Sequence, residues 1–130
     1  MTGPALTLSA LPDTFALCRF DADASVPTWA LAGHFCAVVR TTEELSIVCV
    51  QRQIPPGVKS ETGWRCVKVH GPLALSMVGV VASLAEPLAQ AGISIFVIST
   101  YDTDYLLVKE VNLEKTVEVL SEQGHTVLQA

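Results

Sequence analysis

Charged residues are scarce, at 16% of the chain, and bases are scarcer than acids: eight Lys and Arg against thirteen Asp and Glu, a formal net charge of −5. Such a surface repels a phosphate backbone or an anionic lipid face on average, so neither nucleic acid nor membrane is an expected partner. A disordered tail is excluded as well, because it needs high charge and low hydrophobicity whereas half of these residues are apolar. Long apolar runs are also missing. Mean hydropathy is +0.44, yet the longest nearly uncharged stretch, from Gly71 to Leu84, is broken by Pro72 and Gly79. It falls short of the ~20 residues that a membrane-spanning helix requires. The segment from Met1 to Leu11 has no basic start and no continuous apolar core, so no secretory signal is read there and the expected location is the cytoplasm.

No C-x-x-C pair occurs. Cys18, Cys36, Cys49 and Cys66 stand singly in apolar, strand-like runs, and with no export signal they read as buried free thiols rather than disulfides or a zinc site. Catalytic signatures are missing too: no G-x-S-x-G, H-E-x-x-H, Walker loop or G-x-G-x-x-G is present. His34, His70 and His125 are too scattered for a metal set. The expectation is a non-enzymatic chain without cofactor or metal.

What remains is a chain of 130 residues, long enough to bury about two thirds of its unfolded surface. Trp64 to His70 (WRCVKVH) alternates with period two and ends at Gly71-Pro72, a strand and a turn. From Ser76 the period changes to three and four through Met77, Val80, Val81, Leu84, Leu88 and Ala91, which predicts a helix ended by Gly92 and loosened at Pro87. Ile93 to Ser99 and Tyr105 to Val111 are β-rich runs about a turn, a hairpin. Asn112 is placed to cap a second helix with Leu113, Val117 and Leu120 on one face; Gly124 ends it, and Thr126 to Leu128 is a last strand. The order β-α-β-β-α-β is that of a ferredoxin-like split βαβ unit.

Sliding Phe35–Val50 by sixty positions onto Ile95–Glu110 matches strand, polar turn and strand, with Thr42 on Asp102. Phe15 to Phe20 is a strand with no long helix after it, and Pro55, Pro56 and Gly57 make the following stretch mostly loop. Residues 1–63 therefore read as a trimmed copy of 64–130.

HGPLALS (His70–Ser76), TEELSIVC (Thr42–Cys49) and ISTYDTDYLLVKE (Ile98–Glu110) resemble the ACT domain, the small-molecule sensing module. The likeness is greatest to the paired-ACT proteins related to aspartokinase regulatory domains and to the CASTOR arginine-sensor family. It implies an α+β fold of two tandem ferredoxin-like units, the first truncated, and a regulatory role in binding an amino acid without catalysis. It further implies a homodimer, with ligand held in the crevice between units or between chains.

The residues can be weighed for that role on their own chemistry. His70, Gly71, Pro72, Leu73 and Ser76 lead into a helix whose first turn offers unpaired N–H groups and partial positive charge to a carboxylate. Ser76 can supply a hydroxyl or simply cap the helix. Ser99, Thr100, Asp102, Thr103 and Asp104 at the hairpin tip can hold an ammonium or guanidinium group, although Asp and Thr are also ordinary turn formers. A magnesium or acid–base role for the two aspartates lacks a third carboxylate or a nearby His. Ser46, Ile47 and Val48 can offer main-chain groups from the first unit or serve only as a core strand. The competing expectation is an interaction or dimerisation module with no metabolite ligand, its exposed strand edges pairing with another chain.

Overall fold

The computed structural model describes residues 5–73 and 78–129. Its strands are β1 (Thr7–Phe20), β2 (Ala37–Arg40), β3 (Leu45–Val50), β4 (Ser60–Val69), β5 (Ile95–Ser99), β6 (Asp104–Lys109) and β7 (Thr126–Leu128). The helices are α1 (Val80–Gln90) and α2 (Leu113–Glu122). By its internal contacts the chain forms two units. The larger combines Met1–Pro12 with Arg65–Ala130, and the smaller is Asp13–Trp64. The first segment of the chain thus groups with the larger unit, whereas the sequence-based division assigns all of residues 1–63 to one unit.

In the larger unit β4-α1-β5-β6-α2-β7 follow in the expected order, with one difference in pairing. The strands lie in the order β7-β1-β4-β6-β5, and the start of β1 pairs in parallel with β7, Thr7 opposite Thr126 and Ser9 opposite Leu128. On the other side of β1, the His70 N–H donates to the Thr7 carbonyl at 2.8 Å. Alternation explains the placement: Leu6, Leu8 and Ala10 are buried while Thr7 is exposed. Leu6 and Leu8 join Val67 and Val69 of β4, Val80, Leu84 and Leu88 of α1, Leu106 and Val108 of β6, and Leu120 of α2 in one core. Losing a fully buried leucine from such a core costs about 2–5 kcal/mol.

Both helices end where glycine permits. Gly92 and Gly124 have φ of 77° and 92°. The N–H groups of Ile93 and His125, one position beyond each glycine, return to the carbonyls of Leu88 and Leu120, the bonding that a left-handed residue allows. The starts differ from expectation. Gly79, read as a helix-interior residue, is the N-cap of α1 with φ 81°, so the helix begins at Val80, and Ser76 lies outside the described residues. Asn112 does precede α2, but its side chain makes no cap bond. The buried face of α2 uses Thr116 where Val117 was expected, because the Thr116 hydroxyl is satisfied by the Asn112 carbonyl at 2.8 Å.

In the smaller unit β3 lies between β1 and β2, antiparallel to both. The expected absence of a long helix is met by two 3-10 turns, Thr28–Leu31 and Gln51–Gln53. Cys18, Ala30, Leu45, Ile47 and Cys49 form its core under Phe20, Val26, Trp29, Ile54 and Val58. Gly33, at φ 93°, sits where a Cβ would come within 2.9 Å of Val50 Cγ2. The register corrects the internal repeat. Arg40 pairs with Leu45 and Ser99 with Asp104, and 3-10 turns begin at Gln51 and Glu110. The true offset is therefore 59 positions, not sixty, and a one-residue slip exchanges the two faces of every strand.

All four cysteines are free, and Cys36, expected in a buried strand, is exposed outside β2. Burial pushes the Cys49 and Cys66 thiols up to about 12 and also raises Cys18, despite its 3.9 Å contact with Cys49 Sγ. A raised thiol stays protonated at neutral pH and is a poor nucleophile. Titration of the folded protein with an aromatic disulfide at pH 8 should therefore label Cys36 quickly and the others only after denaturation; rapid reaction of two or more thiols contradicts this packing. His125 supplies a second check. Its Nδ1 accepts from the Leu6 N–H at 3.1 Å in a buried setting, and its Nε2 faces the Ser83 carbonyl at 3.4 Å. His125→Phe should cost about 1–3 kcal/mol in urea unfolding by stranding that N–H; an unchanged midpoint contradicts the assignment.

Candidate functional site

The site is built where β4 hands over to α1, opposite the tip of the β5–β6 hairpin. Thr100 closes the tip. Its N–H donates to the Thr103 carbonyl at 2.8 Å, its hydroxyl donates to the same oxygen at 3.1 Å, and the Thr103 N–H donates back to Thr100 Oγ1 at 3.2 Å. Thr103 is buried and turned inward, its hydroxyl donating to the Val69 carbonyl at 2.6 Å. The Leu73 N–H donates to the Asp102 carbonyl at 2.7 Å. Gly71 is the close approach between these segments: a Cβ there would lie 2.9 Å from the Asp102 carbonyl oxygen and 3.1 Å from Thr103 Cβ. The Gly71–Pro72 peptide is cis.

These contacts leave a cavity of about 370 Å³ lined on one side by Gly79, Val80, Val81 and Ala82, at the start of α1, and on the other by the tip from Ser99 to Asp104, with Leu73 beside them. That volume suits a small metabolite. No side chain caps α1, so the N–H groups of its first turn have no intrahelical acceptor and carry the positive end of the helix dipole. Two aspartates are among the residues that line the other side. Asp104 accepts the Ser99 hydroxyl at 2.6 Å, a bond that orients it, and Asp102 is exposed. No basic side chain is among the lining residues. The cavity thus has an anion-accepting end and a cation-accepting end.

Of the residues expected from sequence, Leu73, Ser99, Thr100, Asp102, Thr103 and Asp104 come together here. His70 turns elsewhere, its Nε2 bonded to Ser9 Oγ at 2.5 Å. Gly71 and Pro72 act in the strand–helix junction, and Ser76 lies outside the described residues. Gly79 to Ala82 and Tyr101 were missed. The signal was Gly79 itself: an interior glycine costs a helix about 1 kcal/mol, so it is better spent at an end. In the smaller unit Ser46 donates its hydroxyl to Glu44 Oε1 at 2.6 Å. The main-chain groups of Ser46, Ile47 and Val48 lie in ladders with both β1 and β2, and Ile47 and Val48 are buried. What this motif has left to present is the Ser46 hydroxyl. Among the described residues no group of three or more His, Cys, Asp or Glu side chains is placed to hold a metal ion, and no helix is long and apolar enough to cross a membrane.

An ACT-domain model matches residues 59–122. A solved protein from Agobacterium tumefaciens is 42% identical, with a TM-score of 0.92 over 98% of this chain and 95% of its own. Residues 59–122 of this chain are an ACT domain. The ACT match takes in β4 to α2 and every described residue that lines the cavity. A separate N-terminal-domain model matches residues 13–57, so the ACT model reaches the smaller unit only at its last residues, from 59 on. Over 58 residues, 44% of this chain, the human cytosolic arginine sensor for mTORC1 subunit 1 is 45% identical; the match spans only 18% of that protein's length. The regulatory subunit of aspartate kinase from Thermus thermophilus, at 14% identity and a TM-score of 0.63 over 92% of this chain and 99% of its own, shares the ACT fold.

The hairpin tip is held by Thr103, so Thr103→Val should lower stability by about 1 kcal/mol through the lost bond to Val69. Urea unfolding of the variant checks it, and a midpoint equal to the parent's would show that the tip is held by other means.

Proposed function

We propose that this ACT-domain chain binds a free amino acid in the cavity between the start of α1 and the β5–β6 tip, and acts as a regulatory sensor with no catalysis of its own. The observation that carries the proposal is the pairing of uncapped helix N–H groups with two aspartates across one cavity of about 370 Å³. A ligand carboxylate is stabilised at the helix start, and its ammonium at Asp104 through a charge-assisted bond. Asp102 then remains for a second positive charge. Together with the name of the arginine-sensor relatives, this puts basic amino acids first in any screen. His70, Gly71, Pro72 and Ser76 support the junction in this reading, and Ser46, Ile47 and Val48 belong to a reduced first unit of the same ancestry. The word cytosolic in the name of those relatives supports a cytoplasmic location, and a homodimer is kept in this reading as what the family resemblance implies.

A second reading has an observation of its own. β2 is the outer strand beside β3, and its Val38 and Val39 are 40% and 58% exposed. An apolar outer strand is a template for pairing with another chain, which favours an interaction module indifferent to metabolites.

Calorimetric titration against the twenty amino acids separates the two. Sensing predicts that at least one binds, that a ligand at 100 times its Kd adds about 2.7 kcal/mol of stability, and that Asp104→Asn weakens it tenfold or more, about 1.4 kcal/mol. No heat and no stabilisation from any of them, with a concentration-dependent dimer, leaves the interaction reading in its place.

A further inference from the structure

The two hairpins share more than a pattern. At the offset of 59 positions the turn at Thr41 repeats the turn at Thr100: the Thr41 N–H donates to the Glu44 carbonyl at 2.9 Å, its hydroxyl donates to the same oxygen at 3.3 Å, and the Glu44 N–H donates back to Thr41 Oγ1 at 3.1 Å. Arg40 then stands where the larger unit has Ser99, and Leu45 where it has Asp104. The segment that leaves β1, Asp21 to Pro27, precedes the 3-10 turn Thr28–Leu31 as the segment that leaves β4 precedes α1.

In the larger unit Ser99 and Asp104 line the cavity beside the start of α1. In the smaller unit Arg40 reaches across the corresponding place, its two terminal nitrogens donating to the carbonyls of Ala22 and, at 2.7 Å, Ala24. Leu45, which has replaced the carboxylate, is fully buried in the apolar core. A guanidinium offers its donors in a planar fork that an ammonium cannot imitate, and two carbonyls two positions apart in a turn are acceptors for that fork. We propose that the smaller unit has a guanidinium-binding place and that the chain fills it with its own Arg40, an internal ligand. The inference rests on contacts inside the smaller unit and is independent of what the larger unit binds.

Chemical rescue tests it. Thermal unfolding of Arg40→Ala is compared with that of the parent, each alone and with 50 mM methylguanidinium or methylammonium chloride. Arg40 is exposed overall, so the expected loss is modest, about 2–5 °C in Tm. Methylguanidinium should restore part of that loss in the variant while leaving the parent unchanged or slightly lowered, and methylammonium should restore none. An undiminished Tm, a methylguanidinium response equal in variant and parent, or equal rescue by both cations overturns the proposal. Should Arg40→Ala fail to fold, Arg40→Gln, which keeps the stem and an amide donor, carries the same comparison.

Discussion

The acidic hairpin tip is tied to the end of β4 by a small set of bonds, and the site depends on them. Thr103 reaches the Val69 carbonyl, the Asp102 carbonyl accepts from Leu73, and Gly71 lacks the Cβ that would force the two apart. None of these groups needs to touch a ligand. They fix where Asp102 and Asp104 stand relative to a helix that starts late and uncapped. A carboxylate at an unanchored tip would sample solvent and give up its place opposite the helix; held here, two weak features, a bare helix start and a pair of turn aspartates, become one polarised cavity.

The same hairpin occurs twice with different outcomes. Where the larger unit follows its first core strand with an eleven-residue helix, the smaller has a four-residue 3-10 turn. Too short to present a row of free N–H groups, that turn is matched by carbonyls that face Arg40. The carboxylate of the tip is likewise exchanged for a buried leucine. On the reading proposed above, the larger unit leaves its polar groups open to a ligand, whereas the smaller satisfies the Ala22 and Ala24 carbonyls with its own Arg40.

Much of this was legible in the residues, for reasons that can be named. The β5–β6 hairpin and both helix stops follow from alternation and from glycines at the ends of periodic runs, signals that local physics sets. The start of α1 was misplaced because Val80, Val81 and Leu84 continue a spacing that Met77 begins, and only the backbone angle of Gly79 breaks it. The first half of β1 was missed: the strand was read only over Phe15 to Phe20, whereas it starts at Thr7 and passes through Pro12 and Asp13. Its parallel pairing with β7 is a long-range choice that no local pattern records. As for the site, the residue types at the tip point to a cation, and Gly79 hints at the late helix start, whereas the meeting of the two across one cavity emerges only in three dimensions.

The central claim is that the first turn of α1 and the hairpin tip act as one site. Backbone amide NMR during titration with arginine and lysine tests it most directly. The account predicts that, as ligand is added, the signals of Val80, Val81 and Ala82 move together with those of Ser99 to Asp104, along one saturation curve, while those of β3 stay still. Movement of only one of the two segments, or curves that saturate at different concentrations, would contradict it.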